Sequence, residues 1–283
     1  MSISSSALLV HLNISTWTGS KLDKDQTARV IERNNAVSKS ARVYKNLMSG
    51  TTELKEINNF AAGVRLFHNQ WTLPYEDRGN RIIPTSLFMD YKAQYNLKRA
   101  EFLMRVNKFK DYYYEHAQSA RNSLGGLHNA NDYPPVETIA SKFAFELSVK
   151  PMPTSGHFIL DIPAQDMEEM KQQLDAENDK RLKEATGTAW HRLHKVISDM
   201  SQKLEPVGGM DKRRWYDSFV SNPRELCDML THLNITKDPE LERARAMLEA
   251  TMANTNIDAI KDSEHERTRI KSDVDNILKQ FEW

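Results

Sequence analysis

The sequence FMDYKAQYNLKRAEFLMRVNKFKDYYY, residues 88–114, has the periodicity of a long α-helix and decides the predicted fold class. Successive residues of a helix are about 100° apart, so six of its eight rings and one valine fall within an arc of about 60°. Ser86 is placed to begin this helix, and Gly125-Gly126 to end it after about residue 123. The arc contains Phe88, Tyr91, Tyr95, Phe102, Val106, Phe109 and Tyr113.

Basic residues border this arc on both sides. Between residues 92 and 110 six cations stand against one acid, Glu101, which is a local balance of +5 in a chain whose net charge is zero. Cations neutralise phosphates and flat rings stack on bases, so the combination is typical of single-stranded nucleic-acid binding. Arg99, Lys92 and Lys110 lie on one margin, Lys98 and Arg105 lie on the other, and Lys108 completes the set.

The same pattern has a purely structural interpretation. An aromatic stripe at helical spacing is commonly a core face, with lysines extending from its edges towards water. Against this, the run Tyr112-Tyr113-Tyr114 presents tyrosines around the helix, and they cannot all be buried on one side. The exposure of the stripe decides between the two interpretations.

A second basic-aromatic cluster occurs at residues 211–216, DKRRWY. Three cations precede two rings near an expected helix start, where an anion is electrostatically favoured. The alternative is a surface turn anchored by Trp215. We predict that both clusters contact nucleic acid, through Tyr91, Lys92, Tyr95, Lys98, Arg99, Arg105, Lys108, Lys110, Lys212, Arg213, Arg214 and Trp215.

Helical periodicity dominates the rest of the chain, so we predict a mainly α fold with long helices and one or two small β-hairpins. The break at 206–209 predicts a helical domain over 1–205 with the hairpins inserted, and a C-terminal helical region and tail over 206–283. The tail packs Ile277, Leu278 and Phe281 inward or docks on a partner. Further helices are predicted over 23–49, 51–70, 163–186, 188–204 and 256–283, a small hairpin or an ordered loop over 71–84, and a hairpin over 143–162. Asp238 before Pro239 is typical of an N-cap followed by the first residue of a helix.

Composition restricts the class of protein. A chain of 283 residues with 39% hydrophobic and 28% charged residues can bury a core, and its mean hydropathy of −0.65 argues against a membrane span. The N-terminus lacks the pattern of a signal peptide. A single cysteine, Cys227, excludes an internal disulfide and suits a reducing cytoplasm; its neighbours predict a buried helix face.

Motifs of catalysis and metal binding are absent from the sequence. There is no phosphate-binding loop followed by Lys-Ser/Thr, no nucleophile elbow, no His-Glu-x-x-His helix and no paired-cysteine zinc spacing. His191 and His194 share a predicted helix face, but no third ligand lies at a suitable spacing. We therefore expect a binding protein without an enzymatic activity, a metal or a cofactor.

Three segments carry a resemblance to a known family. LVHLNISTWTG, residues 9–19, resembles the N-terminal signature of an uncharacterised phage and mobile-element family, often encoded near a MoxR-type AAA+ ATPase and a von Willebrand factor A-type protein. SNPREL, residues 221–226, and LNITKDPEL, residues 233–241, are similar to its C-terminal half. The overall character is also similar to the single-stranded-DNA-binding RNA polymerase cofactors of podoviruses with a virion RNA polymerase.

These resemblances and the two clusters lead to one function hypothesis and one rival. The first is a phage single-stranded DNA-binding protein of the host cytoplasm, which binds melted DNA and recruits a phage RNA polymerase for transcription, or serves replication. The rival is a helical scaffold subunit that partners an AAA+ ATPase. Under either hypothesis we expect a homo-oligomer that does not bind membranes.

Overall fold

A computed structural model describes residues 6–76, 79–153, 164–207, 213–253 and 255–283. The described chain is mainly α-helical with a small β component, which confirms the predicted fold class. It forms two compact units. The first unit comprises Met1–His11, Asn69–Tyr91 and Ser148–Trp283, and the second comprises Leu12–His68 and Lys92–Leu147.

The helices and strands of the described residues follow in chain order. The helices are α1 (Lys24–Arg33), α2 (Thr52–Trp71), α3 (Thr85–Asp111), α4 (Tyr113–Leu124), α5 (Val136–Ala140), α6 (Ala164–Lys203), α7 (Ser218–Leu233), α8 (Pro239–Ala253), α9 (Ile257–Asp262) and α10 (Glu264–Gln280). The strands are β1 (Ala7–Ser15), β2 (Ser20–Leu22), β3 (Tyr44–Asn46), β4 (Leu73–Pro74), β5 (Arg81–Pro84) and β6 (Ala144–Pro151). One sheet has the order β4-β5-β1-β6, and β2 pairs with β3.

Helix α6 is the main packing element of the first unit. It packs against β4, α7, α8 and α10. The acidic N-cap predicted before Pro239 is present, because Asp238 Oδ1 accepts the backbone N–H groups of Glu240 and Leu241 at 2.9 and 3.2 Å. The buried face of α6 repeats every three or four residues: Leu182, Ala185, Ala189, Leu193, Ile197 and Met200.

The core of the second unit is aromatic. Phe102 and Phe109 of α3 are fully buried. The ring centroids of Phe102 and Phe145 are 5.1 Å apart, and those of Tyr95 and Phe145 are 5.4 Å apart. Helix α3 stops at Asp111, and α4 starts at Tyr113, whose hydroxyl donates to the Pro134 carbonyl at 2.9 Å. The predicted helix over 86–123 is therefore two helices, joined where Tyr113 enters the core.

A buried ion network also lies in the second unit. Lys45 Nζ is 2.6 Å from Asp132 Oδ2 and 3.3 Å from Asp23 Oδ2, and both Lys45 and Asp132 are buried. Lys21 Nζ approaches the other Asp132 oxygen at 2.7 Å. Because strand β3 carries Lys45, the network joins β3 to the segment around Asp132.

Several predicted boundaries are wrong. The helix predicted over 23–49 ends at Arg33, because Asn35 takes a left-handed backbone conformation with φ of 46°. Val37, an apolar residue within the predicted range, is 79% exposed. Strand β1 was not predicted. The two helices predicted on either side of Gly187 are one helix, α6, since a single glycine weakens a helix without ending it.

The two predicted hairpins and the predicted domain boundary can be compared with the described residues. The hairpin over 71–84 is confirmed as β4 and β5, with Leu73 opposite Ile82. In the second, the predicted strand at 143–149 is β6, which neighbours β1, while residues 154–163 lie outside the described part of the chain. The expected boundary after residue 205 does not coincide with the compact units, since 164–207 and 213–283 belong to the same unit.

Candidate nucleic-acid interface

The rings predicted to stack on bases from α3 lie in the interior. Tyr91 belongs to the first unit, is fully buried, and has its ring 6.4 Å from that of Trp71. Tyr95 belongs to the second unit, and its hydroxyl donates to the Phe145 carbonyl at 3.4 Å. Burial raises the pKa of Tyr95. Neither ring offers a face to a base, and the core interpretation of the aromatic stripe accounts for both.

The predicted cations of α3 are distributed over its surface, and several of them have acidic or aromatic partners within the protein. Arg105 Nη2 is 2.6 Å from Glu101 Oε1, and Lys108 Nζ is 3.9 Å from Glu53 Oε1. Lys98 Nζ lies 4.7 Å from the centre of the Phe67 ring, and Lys92 Nζ 4.4 Å from that of Tyr95. Arg99 is exposed and Lys110 half-buried.

The second predicted cluster forms a pocket in the first unit. Arg213, Arg214 and Trp215 line a cavity of about 380 Å³ together with Tyr216 and two residues distant in sequence, Lys261 of α9 and Arg267 of α10. We call this the basic-aromatic pocket. The described part of its lining has four cations, two rings and no carboxylate. Lys212, predicted with this cluster, lies outside the described residues.

Helix ends position two of these arginines. Arg213 Nη1 donates to the carbonyls of Lys203 and Glu205, where α6 finishes. Arg267 Nη1 donates to the carbonyls of Ile260 and Lys261 at 2.6 and 3.1 Å, at the end of α9. Carbonyls at a helix C-terminus attract cations, so both guanidinium groups are fixed before any ligand binds.

The other two cations are more available. Lys261 Nζ is 3.2 Å from Asp258, which is mostly exposed, and such surface ion pairs are weak. The Arg214 side chain is exposed and makes no ion pair or hydrogen bond with the residues that the structure describes. An incoming anion would therefore meet Arg214 and Lys261 with little competition from the acidic side chains that the structure describes.

The two rings of the pocket differ in their surroundings. The ring centroid of Trp215 is 5.1 Å from that of Phe219 in an edge-on arrangement, and the Arg213 guanidinium lies 5.4 Å from Trp215. Lys203 Nζ lies 5.4 Å from the Trp215 centroid and 5.9 Å from that of Tyr216. Tyr216 is 58% exposed. Trp215 is thus held in place by its neighbours, whereas Tyr216 has area available for stacking.

The sequence did not indicate Lys203, Lys261 or Arg267. Each lies on a charged helix surface, and Lys261 and Arg267 are about fifty residues from the predicted cluster. Local clustering cannot detect such partners, because folding alone brings them together.

The remaining candidate groups do not form a site in the described residues. His191 is exposed, and His194 Nε2 lies 3.2 Å from Ser198 Oγ. No group of three or more potential metal ligands occurs in the described part of the chain. Cys227 is buried as predicted, and burial raises the pKa of its thiol to about 12, which disfavours the reactive thiolate. Among the described helices, none has the length and apolar character to cross a membrane.

Comparison with known proteins adds no information on the pocket. Searches against protein-family models, curated protein sequences and solved structures return no match for this chain. The functional assignment therefore depends on the geometry of the pocket, which has converging cations, one ring held in place and one exposed ring beside it.

Proposed function

We propose that this protein binds single-stranded DNA, and that the basic-aromatic pocket is the centre of its binding surface. One observation carries the proposal: among the described residues, four cations and two rings line one cavity to which no carboxylate contributes. The proposal places the interface at the second sequence cluster and gives the rings of α3 a structural role. The proposal does not include contacts by the α3 cations, whose role in nucleic-acid binding is a sequence-based prediction that the α3 control variants test.

Phosphate recognition is assigned to the cations. Arg213 and Arg267 are held by helix carbonyls and contribute a fixed positive field, while Arg214 and Lys261 reach the phosphate directly. Phosphate contacts with lysine and arginine release counterions, so affinity falls as salt rises. A slope of about −0.7 in log affinity against log salt is expected for each phosphate contacted on a single strand.

Base recognition is assigned to Tyr216. A stacked base gains about 1–3 kcal/mol on an aromatic side chain and needs no particular sequence, because every base has a flat face. The bases of duplex DNA are already stacked on one another, so an exposed tyrosine favours an unpaired strand. Trp215 supports the wall of the pocket, where Phe219 and Arg213 pack against it.

The biological setting follows from the resemblance to phage polymerase cofactors. In that setting the protein holds melted DNA and recruits a phage RNA polymerase. DNA binding itself is supported by the pocket, and the recruitment step by the resemblance alone.

The test is a fluorescence-anisotropy titration with labelled oligothymidylate at two salt concentrations, alongside a duplex and an RNA of the same length. Wild type should bind the single strand more tightly than the duplex, and less tightly as salt rises. The double variant Arg214→Ala/Lys261→Ala should lose at least tenfold in affinity. Lys92→Ala/Arg99→Ala, which removes two cations from α3, is the matched control and should bind like wild type.

Two results would overturn this assignment. Absence of wild-type binding at low salt would remove DNA binding altogether. Loss of binding in the α3 control, with the pocket variant unaffected, would return the site to α3.

A further inference from the structure

Helix α3 has an apolar face that the fold leaves uncovered. Within the second unit, Leu97 is 65% exposed, Met104 is 64% exposed and Leu103 is 41% exposed. Ala93 and Ala100 are also exposed. A row of exposed aliphatic side chains on one helix is uncommon on a monomeric protein surface and typical of an interaction surface.

Four of these residues form a continuous stripe on the side of α3 opposite the core, and Leu103 lies on one flank of the stripe. At about 100° per residue, the stripe spans about 60° and its centre lies about 180° from that of the buried aromatic face. Helix α3 thus has two apolar faces, one buried and one exposed. We define the stripe of α3 as Ala93, Leu97, Ala100 and Met104.

The two flanks of the stripe carry different charge. On the flank towards α2, cations are matched by acids: Arg105 pairs with Glu101 and also lies 3.7 Å from Glu56, and Lys108 lies 3.9 Å from Glu53. On the other flank lie Lys92, Arg99 and Lys110.

None of the three cations of that second flank forms an ion pair within the described part of the chain. Lys92 Nζ lies over the Tyr95 ring, and Lys110 donates to the Asn107 side chain at 3.4 Å. The stripe of α3 is therefore bordered by one nearly neutral flank and one cationic flank.

We propose that the stripe of α3 binds an amphipathic helix of a partner protein, one with an apolar face and a row of carboxylates along one margin. The apolar faces would pack together, as helices do in a groove or a coiled coil. The carboxylates would lie against Lys92, Arg99 and Lys110, and this complementarity would fix the orientation of the partner.

Charge also argues against the two other occupants. In a symmetric antiparallel pair of α3 helices each flank meets its own copy, so the cationic flank would face three like charges. Single-stranded DNA would find phosphate partners on that flank, but the stripe beside it is aliphatic and has no ring on which a base could stack.

The experiment uses the full chain and three synthetic helical peptides of equal length. The first has leucines on one face and glutamates along one margin, the second replaces those glutamates with lysines, and the third keeps the glutamates but replaces the leucines with serines. Wild type should bind the first peptide at least tenfold more tightly than either of the others in a fluorescence-anisotropy titration. Binding to the first should weaken as salt rises.

Variants of the chain identify the surface. Leu97→Glu/Met104→Glu should abolish binding of the first peptide, and circular dichroism should remain unchanged because both side chains are exposed. Arg99→Glu/Lys110→Glu should reverse the preference, so that the lysine peptide binds more tightly. Leu66→Glu, which alters an exposed leucine of α2, is the matched control and should bind like wild type.

Three outcomes would overturn the proposal. The first is equal binding of the glutamate and lysine peptides, or no binding. The second is a dimer in light scattering that Leu97→Glu/Met104→Glu dissociates, which would make a second copy the occupant. The third is a loss of oligothymidylate binding in Leu97→Glu/Met104→Glu, which would make nucleic acid the occupant of the stripe. The proposal does not depend on the basic-aromatic pocket, whose variants leave the stripe of α3 intact.

Discussion

The two basic-aromatic segments of this chain, residues 88–114 and 211–216, look alike in sequence and differ in structure. In α3 Tyr91, Tyr95, Phe102 and Phe109 are buried, and the cations around them are spread over the sides of one helix, while Tyr112 and Tyr114 beyond its end are exposed. Residues 213–216 form a short irregular segment in which Tyr216 is exposed. The cations Arg213 and Arg214 of this segment converge with Lys261 and Arg267. Composition alone does not distinguish a core helix from a binding surface, and the geometry of the backbone does.

The physical reason lies in periodicity. A long helix places every third or fourth side chain on one face, so a stripe of rings has a large apolar area that folding buries against the rest of the unit. A segment of six residues cannot present such a face. Its rings stay near the surface unless neighbouring elements cover them, as Phe219 and Arg213 partly cover Trp215.

The largest expected effect tests the structural half of the comparison. Phe102→Ala should lower the free energy of unfolding by about 3–5 kcal/mol, because it empties a fully buried site between Phe143 and Phe145. Tyr216→Ala should change it by less than about 0.5 kcal/mol. Urea denaturation followed by circular dichroism measures both, and similar losses in the two variants would contradict the distinction.

The second-largest effect is expected on the free energy of unfolding when the ion network of the second unit is broken. Asp132→Asn leaves Lys45 buried with only Asp23 as an acidic partner, and breaking a buried pair costs about 3 kcal/mol. Glu56→Gln, at an exposed ion pair, is the matched control and should cost less than about 1 kcal/mol. An equally small loss in both would show that the network contributes little.

The same network predicts a dependence on acid. Burial raises the pKa of Asp132, but hydrogen bonds from Lys21 and Lys45 outweigh burial and hold that pKa below its usual value. A carboxylate with a lowered pKa stabilises the fold above the unfolded pKa of about 4, and this stability is lost as pH falls through the folded pKa. Wild type should therefore lose more stability than Asp132→Asn below about pH 4. Parallel urea curves for the two proteins across that range would refute this.

A moderate effect is expected for the exposed ring. Tyr216→Ala should weaken oligothymidylate binding by about 1–3 kcal/mol, roughly five- to hundredfold, if one base stacks there. Tyr44→Ala removes a tyrosine of similar exposure, 56% against 58%, from the other unit. It should leave affinity unchanged. Equal losses of affinity in the two variants would mean that exposed tyrosines contribute to DNA binding wherever they lie on the protein.

The smallest expected effect concerns salt. Arg214→Ala should make the salt dependence of DNA binding shallower by about one phosphate contact, which is about 0.7 in slope. Arg99→Ala removes an arginine of α3 that is also exposed, and it should leave the slope unchanged. An altered slope in the Arg99 variant would bring α3 back into the interface.

Much of the fold was predictable from sequence because its signals are local. Helix α2 was predicted within one residue at each end, and the N-cap at Asp238 and the burial of Cys227 were predicted as well. Each depends on side chains close together in the chain. The helix over 23–49 failed because one residue, Asn35, leaves the helical region, and periodicity does not reveal such a departure.

The sequence by itself determined that the chain is mainly helical, that its charge is locally concentrated, and that Arg213, Arg214 and Trp215 stand together. The tertiary structure decided which rings are buried, which cations converge and which face of α3 stays uncovered. The reason is that exposure and convergence depend on contacts between residues far apart in the chain. Tyr91 and Tyr216 belong to equally basic-aromatic segments, and only packing buries the first and exposes the second.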